Sequence, residues 1–129
     1  MIVVGYTEDQ FGHAALDYAI EEARLRDTSV LVVNSTAGDA YADPTFAQAD
    51  QVRDVRGRLT TSGVAFELTQ PVGVDAATEL LSAMDRHEAE LLVIGIKHRS
   101  PVGKLLLGSV SQQLLLECPK PVLAVKPAE

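Results

Sequence analysis

The sequence has 129 residues, 47% of them hydrophobic and 22% charged, which fits one globular domain over residues 1–129 and excludes two independent domains. Its 18 acidic and 11 basic residues give a net charge of −7, the wrong sign for a general nucleic-acid partner. The single cysteine, Cys118, excludes an internal disulfide and fits a reducing cytoplasm. No apolar run reaches the roughly 20 residues that a membrane-spanning helix needs, so no membrane association is expected.

Five apolar runs of strand length recur along the chain, at residues 2–6, 30–33, 64–68, 91–96 and 122–125. Several are continuous runs of valine, isoleucine and leucine, which is typical of parallel strands covered on both faces. The sequence therefore predicts five strands with helices on both faces of the sheet.

The first two helices are predicted from apolar spacing. A repeat of three to four residues indicates a first helix that buries Phe11, Ala15, Tyr18, Ala19 and Ala23. Asp9 is the simpler N-terminal cap of this helix, and a capping box of Thr7 with Gln10 is the alternative. A weaker pattern predicts a second helix over residues 44–59, which Gly63 ends.

The last two helices follow the third and fourth strands. Asp75 is expected to cap the third helix, which buries apolar residues within 77–84. Ser109 is expected to cap the fourth, with Gln112 reaching back in a capping box, and Pro119 stops it. The alternation of strand and helix predicts an α/β fold with an open parallel sheet and right-handed crossovers.

The chemistry that the sequence offers is concentrated after the fourth strand. Residues 95–108 contain Lys97, Arg99 and Lys104 and no acidic residue. They lead into a helix whose first backbone N–H groups lack helical partners and favour an anion. The helix start at Gly108-Ser109 is therefore a candidate phosphate site. A solvated loop with turn glycines is an equally simple interpretation of the same residues.

Other function classes lack their motifs. The G-x-G-x-x-G fingerprint and the Walker A pattern are absent, which argues against a dehydrogenase and a P-loop ATPase. The three histidines show no metal-ligand spacing, so no metal site is expected. No motif places a general base, so the chain is not expected to be an enzyme beyond slow ATP hydrolysis.

The whole chain resembles the universal stress protein family, most specifically over residues 95–125. This stretch reads SPVGKLLLGSVS at residues 100–111 and continues to PVLAVK at residues 121–126. The helix start and the closing strand of the family are therefore both recognisable.

Nucleotide-binding members of that family carry Gly, two residues, Gly, nine residues, and then Gly with Ser or Thr. Gly95, Gly108 and Ser109 fall on this pattern, and His98 stands at the second glycine position. Such relatives usually have an aspartate just after the first strand, where this chain has Thr7 followed by Glu8 and Asp9. The alternative to a capping role for Asp9 is that one of these two acids replaces the aspartate by a small shift.

The resemblance implies a Rossmann-like, adenine nucleotide alpha hydrolase-like domain with strand order 3-2-1-4-5. It also implies that ATP or another adenine nucleotide, with or without Mg²⁺, binds at the C-terminal ends of strands 1 and 4. This is the topological switch point, where the strand order of such a sheet reverses. The residues expected at that site are Tyr6, Thr7, Ser35, Val72, Gly73, Gly95, His98, Arg99, Gly108, Ser109 and Val110.

The function expected from the resemblance is that of a cytoplasmic stress-response regulator. Its partner would be a second copy, in a homodimer through the apolar edge strand Val122–Val125. The alternative is a nucleotide-free protein–protein interaction module of the same fold, whose basic loop meets an acidic protein partner. The glycine pattern favours the first interpretation, and His98 and Thr7 favour the second.

Overall fold

The computed structural model describes residues 1–97 and 107–128, in which strands and helices alternate. The elements are β1 (Ile2–Gly5), α1 (Gln10–Arg26), β2 (Val30–Val33), α2 (Ala49–Ser62), β3 (Phe66–Thr69), α3 (Ala76–Met84), β4 (Leu91–Gly95), α4 (Ser109–Glu117) and β5 (Val122–Val125). The strands are parallel and lie in the order β3-β2-β1-β4-β5. The predicted α/β, Rossmann-like fold with this strand order is therefore confirmed.

The sheet is buried on both faces, which explains why its central strands are apolar throughout. At the centre, Val4 of β1 pairs with Val32 of β2 and Val93 of β4. One face packs on α1 and α2 and the other on α3 and α4, with Leu16 and Met84 fully buried on opposite sides. The prediction of helices on both faces is confirmed.

Three of the predicted helix ends are confirmed. The Asp9 carboxylate accepts a hydrogen bond from the N–H of Gly12 at 2.9 Å, and that of Asp75 accepts one from the N–H of Thr78 at 3.1 Å. α2 ends at Gly63, whose φ of 77° is left-handed and favours glycine. Asp9, rather than the alternative box of Thr7 and Gln10, is therefore the cap of α1.

The predicted start of α2 is wrong. The helix begins at Ala49 instead of residue 44, and Gln48 forms its capping box with Gln51. Residues 36–48 form a loop instead, because their side chains hydrogen-bond the local backbone in competition with a helix. We call this segment the 36–48 loop.

The predicted cap of α4 is also wrong. Gly108 occupies the capping position with φ −63° and ψ 159°, and Ser109 is the first helical residue. A residue that already lies in the helix cannot cap it, so the predicted box of Ser109 with Gln112 does not form.

Two smaller differences concern β3 and α1. β3 begins at Phe66, later than predicted, and Tyr18 is 53% exposed where the pattern placed it in the core. Leu16 and Ile20 fill the buried face of α1 instead. Within the two described ranges, no helix combines the length and the apolar character that a bilayer crossing needs.

Candidate functional site

A cavity of about 370 Å³ opens at the C-terminal ends of β1, β2 and β4. This is the topological switch point of the sheet, where the order in which the chain adds strands reverses. β2 and β3 lie on one side of β1, whereas β4 and β5 lie on the other. The described residues that line it are Gly5, Tyr6, Thr7, Val33, Ser35, Thr36, Ala37, Asp43, Thr45, Asp75, Ala76, Leu80, Ile94, Gly95, Val110, Ser111 and Leu114. Its volume lies in the range of small-molecule sites.

The floor of the cavity is apolar. Strand ends contribute Val33 and Ile94, and the helices contribute Leu80 from α3 and Leu114 from α4. A Cβ at Gly5 would lie 2.9 Å from Cδ1 of Leu80, so glycine at this position leaves room for the leucine. The floor can therefore take a flat ring with apolar faces.

One wall of the cavity carries a fixed carboxylate. Asp43 Oδ1 accepts hydrogen bonds from the N–H (2.9 Å) and the hydroxyl (2.8 Å) of Thr45. Burial opposes ionisation, but these hydrogen bonds outweigh it and hold the pKa of Asp43 below its usual value. The ionised group can only accept further hydrogen bonds.

A buried amide ties the 36–48 loop to the sheet. Asn34 is 2% exposed, and its NH₂ group donates to the carbonyls of Tyr6 (2.8 Å) and Thr45 (3.0 Å). Its Oδ1 accepts from the N–H of Ala47 (2.8 Å) and the side-chain amide of Gln70 (3.1 Å). All of its hydrogen-bonding capacity is used, so Asn34 fixes the wall without facing a ligand.

The acidic residues after β1 are engaged elsewhere. The hydroxyl of Thr7, which lines the cavity, donates to Oδ1 of Asp9 at 2.7 Å, and Asp9 caps α1. The Glu8 carboxylate contacts the Tyr6 hydroxyl (3.0 Å) and Nε2 of His13 (2.6 Å). Burial, reinforced by Glu8, raises the pKa of Tyr6 above its usual value, so its hydroxyl stays neutral. Neither acid lines the cavity.

The helix N-termini at this edge differ in charge. α1 and α3 begin with the carboxylate caps Asp9 and Asp75, which repel an anion. α4 begins at Ser109, its capping residue Gly108 has no side chain, and its first turn has no acidic residue. Of these three helices, α4 is therefore the one whose N-terminus favours a bound anion.

Several of the predicted site residues come together in the cavity. The lining includes Tyr6, Thr7, Ser35, Gly95 and Val110. Gly108 and Ser109 lie beside it, at the N-terminus of α4. Their contact with a nucleotide stays a prediction.

The other predicted site residues do not line the cavity or lie outside the described part of the chain. Val72 forms an isolated bridge with Thr36, and the N–H of Gly73 donates to the Thr36 carbonyl at 2.8 Å. They support a lining residue instead of lining the cavity themselves. His98 and Arg99 lie outside the described residues.

Gly95 has a packing role that the glycine pattern did not reveal. A Cβ at this position would overlap the carbonyl of Phe11 and lie 2.9 Å from the Phe11 Cβ. The glycine is therefore required where β4 passes the first turn of α1. Three further lining residues, Thr36, Asp43 and Thr45, were not predicted from the sequence, although Asp43-Pro44 is a turn signal that argues against the predicted helix.

A second, more open groove of about 590 Å³ lies between α1 and α2. Its charged side chains are paired with each other, Asp17 with Arg58 and Glu21 with Arg24. Across residues 1–97 and 107–128, no three His, Cys, Asp or Glu side chains are grouped as metal ligands. The cavity is therefore the better candidate for a small-molecule site.

The sequence matches the universal stress protein family over residues 1–126. A universal stress protein of Mycolicibacterium smegmatis is 68% identical over 127 residues, 98% of each chain. The structure of a universal stress protein from Archaeoglobus fulgidus aligns with a TM-score of 0.77 at 30% identity, covering 97% of this chain and 96% of that one. The structure of the universal stress protein from A. fulgidus in complex with dAMP aligns with a TM-score of 0.64 at 25% identity, covering 97% and 95%. The chain belongs to the universal stress protein family.

Proposed function

We propose that this chain is a cytoplasmic stress-response regulator that binds ATP or another adenine nucleotide in the cavity at the ends of β1 and β4. The observation that carries the proposal is the cavity, where an apolar floor meets the uncapped N-terminus of α4. The A. fulgidus relative in complex with dAMP supports an adenine nucleotide as the ligand. Catalysis is not part of the proposal.

The cavity gives the nucleotide a direction. Its phosphates would lie at the N-terminus of α4, near the exposed Lys97 at the end of β4, because that is where an anion is favoured. Its base would lie on the apolar floor. Since the described residues hold no group of metal ligands, Mg²⁺ would be held chiefly by the phosphates.

The wild type is expected to bind ATP with about micromolar affinity. Replacing Gly108 with valine is expected to weaken this binding at least tenfold, and a tenfold change corresponds to about 1.4 kcal/mol of binding free energy. The backbone there has φ −63° and no described atom lies within 4 Å of an added Cβ, so the fold tolerates the change. The side chain would occupy the approach to the first N–H groups of α4. Isothermal titration calorimetry measures the effect.

Gly57→Val is the matched control for this experiment. Gly57 lies on α2, outside the lining of the cavity, and an added Cβ there meets no described atom within 4 Å outside the backbone of α2. It should bind ATP as the wild type does. Equal affinity of the Gly108 and Gly57 variants would remove the α4 N-terminus from the site.

Mass spectrometry of small molecules released from the purified protein separates nucleotide binding from the interaction module. We expect an adenine nucleotide to co-purify. If none does, and neither ATP nor AMP binds at millimolar concentration, the nucleotide proposal fails. The nucleotide-free interaction module of the same fold then takes its place.

We also propose that the chain forms a homodimer through β5. This strand is an edge of the sheet, and Val122, Leu123 and Ala124 are only half-buried. An apolar edge strand of this kind offers unpaired backbone groups to a second copy.

Leu123→Lys is expected to convert the dimer to a monomer, because it places a charge in the centre of the proposed interface. Sedimentation velocity measures the change in mass, and circular dichroism verifies that the variant is folded. Val72→Lys, at an apolar residue that is 57% exposed far along the chain from β5, should remain dimeric. A monomeric wild type, or a dimeric Leu123 variant, contradicts the proposal.

A further inference from the structure

We propose that Asp43 selects the base of the bound nucleotide by accepting a hydrogen bond from the amino group of an adenine ring. The chain would thereby discriminate 6-amino purines from 6-oxo purines. This inference rests on the proposed function, because it assigns a role within the same cavity.

Asp43 lies where a bound ligand can reach it. Asp43 and its hydrogen-bonding partner Thr45 both line the cavity, as does Thr36, and we therefore place the Asp43 carboxylate in the cavity wall. An ionised carboxylate has about four acceptor sites, and the N–H and hydroxyl of Thr45 occupy two of them. Acceptor capacity therefore remains for a ligand.

The loop segment that carries Asp43 is held rigidly against the sheet. Thr36 is 3% exposed, and its backbone pairs with Pro71 and Gly73 at the end of β3. Thr45 is held through its carbonyl by Asn34. The segment that carries Asp43 is therefore tied to the sheet on both sides, at Thr36 and at Thr45, and a rigid acceptor discriminates more sharply than a mobile one.

The distance between the 36–48 loop and the N-terminus of α4 fits the length of a nucleotide. The 36–48 loop follows β2, whereas α4 follows β4, and β1 lies between these two strands. Two strand spacings amount to about 10 Å. In a nucleoside monophosphate the phosphate and the base stand at opposite ends with the sugar between them. A nucleotide with its phosphate at α4 therefore directs its base toward Asp43.

The two purine classes differ in the hydrogen-bonding group that they present at position 6. The amino group at position 6 of adenine donates hydrogen bonds, whereas the oxygen at position 6 of hypoxanthine only accepts them. A carboxylate fixed opposite position 6 would be repelled by that oxygen, and it would gain a hydrogen bond from hypoxanthine only by moving to the neighbouring N1–H. Sites built for a donor at one position reject ligands that lack it there. We therefore expect AMP to bind at least tenfold more tightly than IMP.

The test is calorimetric titration of AMP, IMP and purine riboside 5′-monophosphate, which carries only hydrogen at position 6. The wild type should prefer AMP to both of the others by at least tenfold. Asp43→Asn keeps an acceptor oxygen for Thr45 but offers an N–H₂ donor, so the preference should reverse toward IMP. Asp75→Asn removes the same charge from the cavity lining and still caps α3, and it should leave the preference unchanged.

The outcomes separate this inference from the proposed function. If AMP binds but the ratio of AMP to IMP affinity is the same in the wild type and the Asp43 variant, the inference fails and nucleotide binding stands. If none of the three ligands binds at millimolar concentration, both fail. If the variant does not fold, equal affinity of the wild type for AMP and purine riboside monophosphate overturns the inference.

Discussion

Gly12→Ala is expected to lower the free energy of unfolding by about 3 kcal/mol or more. Gly12 is buried in the first turn of α1, and a Cβ there would overlap the backbone carbonyl and nitrogen of Thr7. Because the clash is with backbone, no side chain can rotate to relieve it, and α1 must shift. Denaturant unfolding measures the loss.

Gly57→Ala is the matched control, since Gly57 also lies within a helix. Its added methyl group meets no described atom within 4 Å outside α2. Alanine has the higher helix propensity, so this variant should be more stable than the wild type by roughly 0.5–1 kcal/mol. A Gly12 variant that unfolds at the wild-type denaturant concentration would show that α1 and Thr7 are not in close contact.

Asn34→Ala is expected to cost about 3 kcal/mol of stability, because each buried polar group left without a partner costs about 1–3 kcal/mol. The carbonyl of Tyr6 and the N–H of Ala47 lose their hydrogen bonds to its side chain, and the carbonyl of Thr45 keeps only the one from the N–H of Glu8. The 36–48 loop should also loosen, which weakens nucleotide affinity.

Hydrogen exchange at the amide of Ala47 reports the loosening directly, because that N–H bonds to Asn34. The exposed Gln113, whose side chain donates a hydrogen bond to Glu117 on the same helix, supplies a control. Gln113→Ala should change stability by less than about 0.5 kcal/mol. Unchanged protection of Ala47 in the Asn34 variant would contradict the role given to this amide.

The fold could be predicted because its local and long-range signals agree. The apolar runs of β2 and β5 have the predicted bounds, and Asp9, Asp75 and Gly63 end their helices as their residue types favour. These features depend on chain-local chemistry. The start of α2 was not predictable from spacing, because Phe46 continues the apolar repeat of the helix although it is buried in the 36–48 loop, where the hydrogen bond from the N–H of Ala47 to Asn34 holds the backbone.

The location of the candidate site could also be predicted, because the ends of β1 and β4 meet wherever this strand order occurs. Its polar wall could not. Asn34, Thr36 and Asp43 come together through contacts between residues distant in sequence, such as the pairing of Thr36 with Gly73. The role of Gly95 against Phe11 likewise requires the packing of β4 on α1.

The most direct test of nucleotide binding in this cavity is amide chemical-shift mapping by NMR during titration with AMP. The account predicts that the largest shifts fall on lining residues from separate elements, such as Thr7, Ser35, Gly95 and Ser111. No shifts at millimolar AMP, or shifts confined to the groove around Gly57, would contradict it.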